Sequence, residues 1–221
     1  MCQSTIPTLL SPELIVRALF FSPFNTAAAH ARMSPQPRTI VRPPHLPGEP
    51  NTGAVLIILF SVEQTTQVIM IRRQEHLQYH PGQISFPGGR REVGETLHET
   101  AIREAREEVG VNASSLTLLG MLTPIYVPPS DFMVHPFVAW HNGQPEVHAD
   151  ASEVAEILMV PVARLDAPSS RGREVRIING NEVMIPYFIV HHHKIWGATA
   201  IILSELLERI RAARTVAPSS P

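Results

Sequence analysis

The chain has 221 residues, 44% of them apolar and 17% charged, with a formal net charge of −2. That length can bury a sizeable core, and the composition excludes disordered, collagen-like, coiled-coil and disulfide-stapled classes. The small net charge argues against electrostatic binding of nucleic acid. A single cysteine, Cys2, allows neither an intrachain disulfide nor a thiolate zinc site. A reducing cytoplasm is the compartment expected, and no apolar run reaches the length of a membrane span.

In chain order, residues 9–24 predict a short amphipathic helix, with Ser11 as N-cap and Pro12 at its first position. Residues 34–50 hold six prolines, which predicts an extended arm rather than helix or central strand. The body begins near Ala54. AVLIILFS (54–61) and VIMIRR (68–73) have strand length and branched side chains, and the polar turn between them suggests a hairpin. Residues 74–94 are rich in Pro and Gly and read as loop, with a short strand at Ile84–Phe86. Thr96 caps a helix running to Val109, closed by Gly110. Strands are expected at about 115–123, 132–140 and 153–160. After a connection at 161–172, strands 174–179 and 183–190 form a hairpin turned by 179–181, and a last helix spans about 196–213. This order predicts an α+β fold of α/β/α layers with a mixed sheet. The expected division is an N-terminal helix and proline-rich arm over 1–50, one folded domain over 51–213, and a flexible tail over 214–221.

The chemistry concentrates in GGRREVGETLHETAIREAREEVGV, residues 88–111. At 100° per residue, Leu97, Ala101, Ile102, Ala105 and Val109 share the packing face. Glu104, Glu107 and Glu108 fall within roughly a 100° arc beside it. So much negative charge is unfavourable unless something neutralises it, and hard divalent cations take oxygen ligands of this kind. Arg103 can pair with Glu107, Glu99 or Glu95 and hold the loop on the helix. The alternative is an ordinary solvated charged face.

The whole spacing decides between them. Gly89, five residues, Glu95, seven residues, then Arg103-Glu104-Ala105-Arg106-Glu107-Glu108, one residue and Gly110 resembles the Nudix box at every position. The resemblance implies a Nudix fold with the box as loop–helix–loop. It also implies Mg²⁺- or Mn²⁺-dependent hydrolysis of a nucleoside diphosphate linked to another group. It makes Glu104, Glu107, Glu108 and the Gly89 carbonyl metal ligands, and gives Glu95 and Gly110 structural places, Glu95 pairing with Arg103. The family often adds a further carboxylate from outside the box, as base for the attacking water or as metal ligand. Glu153, at the start of a strand, resembles that place. The residues expected to carry the chemistry are therefore Glu107, Glu108, Glu153 and Arg103.

VIMIRRQEHLQYHPGQISFPGG (68–89) is similar to the segment preceding the box in coenzyme A diphosphatases. Arg73, Gly82, Phe86, Pro87, Gly88 and Gly89 match that signature in register. Ile71, Gln74 and Gln78 depart from it, and Gln78 stands where the signature has a second arginine. The subfamily resemblance implies coenzyme A or an acyl derivative as substrate, cut to 3′,5′-ADP and 4′-phosphopantetheine or its acyl form. Substrate contacts are expected from Arg73, His80, Gly82, Gln83 and Phe86. The alternatives are another nucleoside diphosphate derivative, such as ADP-ribose, NADH or a dinucleoside polyphosphate, and a non-catalytic nucleotide-binding regulator on the same fold. The expected partner is a small nucleotide, with no nucleic acid and no membrane, and the N-terminal helix and arm could serve a homodimer. His191, His192 and His193 would alternate faces if they lie on a strand. Lys194 could help hold an acidic ligand, Trp196 could stack on a base or pack in the core, and Glu156 is a second carboxylate candidate.

Overall fold

The computed structural model describes residues 6–37, 42, 45–178 and 180–215. Cys2, Asn179 of the expected turn and the tail beyond 215 lie outside them. The N-terminal part forms α1 (Pro12–Leu19) and α2 (Thr26–Ala31). Ser11 caps α1 as its sequence predicts, its hydroxyl accepting from the Leu14 N–H at 3.2 Å. The body follows as β1 (Asn51–Val62), β2 (Thr65–Arg73), β3 (Ile84–Ser85), β4 (Gly88–Arg90), α3 (Leu97–Val109), β5 (Leu116–Met121), β6 (Ile125–Val127) and β7 (Phe132–His141). Then come β8 (Val154–Pro161), α4 (Val162–Asp166), β9 (Arg171–Ile178), β10 (Asn181–Val190), β11 (His193–Ile195) and α5 (Gly197–Thr215).

Eight strands make the main sheet. Its path is β3-β2-β1-β7-β5, with β4 on β1, β6 on β7 and β8 on β2. β1 and β7 run parallel and the other pairs antiparallel, so the sheet is mixed as expected. The continuous apolar run in β1 now has its reason. Ile57 and Leu59 point into a core shared with α1 and α5, while Leu56, Ile58 and Phe60 point into a second core shared with α3. A strand buried on both faces cannot alternate with polar residues. Each such side chain contributes about 1.5–3 kcal/mol on burial. The result is the α/β/α layering read from the element order. β11, β10 and β9 form a separate three-stranded sheet in that order.

The N-terminal segment docks on the body rather than standing off it. Ile6, Leu10, Ile15, Ala18, Leu19 and Met33 lie in the α5-side core. The Ile6 N–H donates to Asp166 at 2.8 Å and the Leu10 N–H to Thr66 at 2.8 Å. In α5, the fully buried Glu205 accepts from Arg209 (2.8 Å) and Thr123 (2.9 Å) and lies 2.7 Å from the His30 ring. Burial pushes its carboxyl up, but the bonds to His30, Arg209 and Thr123 outweigh that and hold it below the ordinary range. Among the described residues, no helix is long and apolar enough to cross a membrane.

Candidate active site

The site is assembled from β4, α3, the end of β2 and the turn before β8. Thr96 and Glu99 form a reciprocal capping box at the start of α3, and Gly110 ends it at φ 71°. Ala101, Ala105 and Val109 pack under the sheet. This fixes the helix rotation and grades the three carboxylates by depth. The Glu108 side chain is 3% exposed, Glu104 15% and Glu107 49%. Beneath them β4 pairs with the start of β1, Ala54 opposite Gly89 and Val55 opposite Gly88. A Cβ on Gly88 would lie 2.3 Å from the Ala54 carbonyl oxygen, and one on Gly89 would lie 2.4 Å from Glu104 Oε1. Backbone approach requires glycine at Gly88, whereas a side chain at Gly89 would displace the Glu104 carboxylate.

Glu108 is the anomalous member. Its Oε2 accepts from the Gly88 N–H at 2.8 Å. Its Oε1 is buried without a hydrogen-bond partner, and so is the Nε of Arg73, whose Nη1 stands 3.5 Å from that oxygen. Burial pushes the Glu108 carboxyl up to about 8, against the pull of the Gly88 N–H and Arg73 and with help from Glu104 and Glu153. Glu104 is also raised, by burial first, against Arg103 and with Glu107 and Glu153 adding to the rise. A buried, half-satisfied carboxylate among others, all with oxygen donors, suits a hard divalent cation.

Arg103 is saturated by contrast. Its Nε donates to Glu95 at 2.6 Å, its Nη1 to Glu104 at 3.0 Å and Glu107 at 2.9 Å, and its Nη2 to the Arg90 carbonyl at 3.0 Å. The guanidinium, with the Glu92 N–H and the Thr100 hydroxyl, holds the Glu95 carboxyl down at about 2. This is the expected pairing of Arg103 with Glu95. It also engages Glu107, and among the described residues no three carboxylate, imidazole or thiol groups already converge on one point.

Other expected positions fall as follows. Arg72 and Arg73 diverge at a bulge, Arg73 toward Glu108 and Arg72 toward Glu156 and Glu75. His80 lies beside Arg73 and Gln83. Burial, then Arg73, lower its pKa and favour the neutral ring. Gly82 adopts φ 64°, under the Glu75 carboxylate. The Gln83 carbonyl accepts from the Arg73 N–H at 3.0 Å. Phe86 corrects its expected role. At 2% exposure it fills the α5-side core and offers no face to a ligand, because its strand neighbour Ile84 carries it inward.

The histidines also differ from expectation, because His191 and His192 form the turn between β10 and β11. Of the three, His193 lies 3.1 Å from Glu156. Lys194 pairs with Glu174, and Trp196 lies under the Arg176 guanidinium at 4.7 Å.

Gln74 has a part that the sequence reading missed. Its N–H donates to the Glu153 carbonyl at 2.8 Å and its side chain to the Ala151 carbonyl at 2.9 Å. The turn is further tied to α3 by the Asp150 N–H on the Glu108 carbonyl at 3.0 Å. Gln74 thus fixes the segment that carries Glu153. Its departure from the subfamily signature was the one signal available.

The family model described as the NUDIX domain matches residues 50–178. The chain is similar to Nudix hydrolase 3 of Caenorhabditis elegans, 30% identical over 174 residues that cover 70% of this chain and 71% of the relative. It is also similar to an uncharacterized Nudix hydrolase, NudL, of Yersinia enterocolitica, 34% identical over 160 residues covering 72% and 80%. Among solved structures, a MutT/nudix family protein from Enterococcus faecalis aligns with a TM-score of 0.47 at 17% identity, over 76% of this chain and 63% of that one. With the family model spanning more than half of the chain and a complete box in place, the chain belongs to the Nudix family and is a hydrolase of phosphoanhydride bonds.

Proposed function

We propose that this hydrolase is a divalent-metal-dependent diphosphatase of coenzyme A and its acyl derivatives, releasing 3′,5′-ADP and the 4′-phosphopantetheine moiety. The observation that carries the chemistry is Glu108. Its carboxylate is buried and half-satisfied against Gly88, and the charges of Glu104 and Glu153 act on it. The substrate rests on the register of Arg73, Gly82 and Phe86-Pro87-Gly88-Gly89 with the coenzyme A diphosphatase signature.

Glu104, Glu107, Glu108 and the Gly89 carbonyl would hold Mg²⁺ or Mn²⁺. Bound there, such an ion would neutralise diphosphate oxygens and make the attacking water more acidic. Glu153 accepts a proton as the water oxygen attacks phosphorus, the bridging P–O bond breaks, and its electron pair leaves with the departing phosphate. Arg103 holds the Gly94–Glu95 loop on α3 and sets where Glu104 and Glu107 lie. His80, Gly82 and Gln83 line the approach of the substrate. The compartment that suits a chain with one cysteine is the reducing cytoplasm.

Gln78 favours a second reading. It is exposed on the loop after β2 and carries no charge where the signature has an arginine, and a planar cation matters for phosphate recognition. The second substrate class is ADP-ribose, NADH or a dinucleoside polyphosphate. The test is hydrolysis of coenzyme A, acetyl-coenzyme A, dephospho-coenzyme A, ADP-ribose and NADH, each with Mg²⁺ and with Mn²⁺, read by product chromatography. Formation of 3′,5′-ADP well ahead of the other products supports the proposal. Faster cleavage of ADP-ribose or NADH moves the substrate to the second class. Nucleotide-dependent thermal stabilisation without any turnover would instead mark a regulator.

A further inference from the structure

The three-stranded sheet ends in an edge that matches itself. Among the described residues, β9 pairs with β10 alone. Its outer face carries exposed Val175 and Ile177 beside an exposed Arg173. Val175 is 53% exposed and Ile177 67%, and Met184, opposite Val175 in the register, is 38% exposed. Such a strand presents unpaired backbone groups together with an apolar surface, and the occupant is set by the order of its charges.

β9 reads Arg-Gly-Arg-Glu-Val-Arg-Ile-Ile from Arg171 to Ile178. Two copies placed antiparallel about a two-fold axis keep their faces matched only when the axis passes beside one residue and its counterpart. Registers that pair five or more residues of β9 centre on Arg173, Glu174, Val175 or Arg176. Three of these set a like charge directly against itself, which is destabilising. The register centred on Val175 does not. It places Glu174 opposite Arg176 of the partner subunit, twice by symmetry. Arg173 then meets Ile177 and Val175 meets its own copy. The outer face becomes a continuous row, Met184 and Val175 of one subunit followed by the same pair of the other. Glu174 already holds Lys194 and Arg176 within its own sheet, so its carboxylate is fixed before the partner arrives.

We propose that β9 is the interface of a homodimer, two copies joining edge to edge about Val175 into one six-stranded sheet. The interaction uses no residue placed in the active site, so it stands apart from the substrate assignment.

The test uses the full chain and sedimentation across a concentration range. Wild type should dimerise. Glu174→Arg and Arg176→Glu should each raise the dissociation constant at least about tenfold, because each sets like charges opposite one another. An equimolar mixture of the two variants should associate again, since every pair across the heterodimer is then opposite in charge. The Glu174→Arg/Arg176→Glu double variant should dimerise by itself. Circular dichroism and hydrolysis of the best substrate check that each variant is folded. A wild type that stays monomeric up to about 100 µM would overturn the proposal. So would single variants that still dimerise, or a mixture that does not.

Discussion

Arg103 and Arg73 both face carboxylates of α3, and they are treated in opposite ways. Arg103 near the start of the helix satisfies Glu95, Glu104, Glu107 and a carbonyl. Arg73 at the deeper end stands 3.5 Å from Glu108 and leaves one buried polar atom unpaired on each partner. A buried charge lacking bonds costs free energy, and a fold keeps that arrangement where a ligand will complete it. The contrast separates scaffold from chemistry. The Glu95–Arg103 end fixes the loop, and on the proposed function the Glu108 end is where the metal binds.

The largest effect that tests this contrast is on turnover. Glu108→Gln should lower kcat by on the order of 10³ while the protein stays folded, as steady-state kinetics and circular dichroism would show. Undiminished turnover would reject the assignment. Gly89→Ala comes next. Its methyl group would press on Glu104, and a displacement of that size should cost roughly 10²-fold in kcat/KM. Arg73→Gln leaves Glu108 without its facing cation and should destabilise the metal-free protein by about 2 kcal/mol above pH 8, where the carboxylate is charged, measured by denaturant unfolding.

The effects in pH have opposite signs at the two ends. Glu95 is held at about 2 against an ordinary 4.5. It adds stability above 4.5 that is lost as pH falls toward 2. Glu108 is raised to about 8. The metal-free fold binds its proton more tightly than the unfolded chain, so stability falls as pH rises from 4.5 through 8. Thermal melts of Glu95→Gln should converge on wild type near pH 2. Those of Glu108→Gln should converge below 4.5 and show a flatter decline toward pH 8.

The Glu95–Arg103 end was legible in the sequence because its partners sit on one helix and its entry loop. Capping by Thr96, the stop at Gly110 and the packing face all follow from local spacing. The helical angle also placed Glu108 near the core, but not its depth, which depends on Gly88 and on Arg73 arriving from β2. The same limit explains the other misses. β4, β6 and β11 have three residues each and exist because neighbours pair with them. Phe86 sits in a loop motif yet fills the core, because the chain on either side of it is pinned to β2 and β1. Gln74 acts on Glu153, far along the chain, and no periodic signal links them.

The most direct measurement is a Mn²⁺ titration of the metal-free protein, followed by calorimetry, for wild type and Glu108→Gln. The account predicts that wild type binds Mn²⁺ and that the variant binds it at least about tenfold more weakly. Equal binding by the two proteins, or none by wild type, would contradict the claim that Glu108 and its neighbours form the metal site.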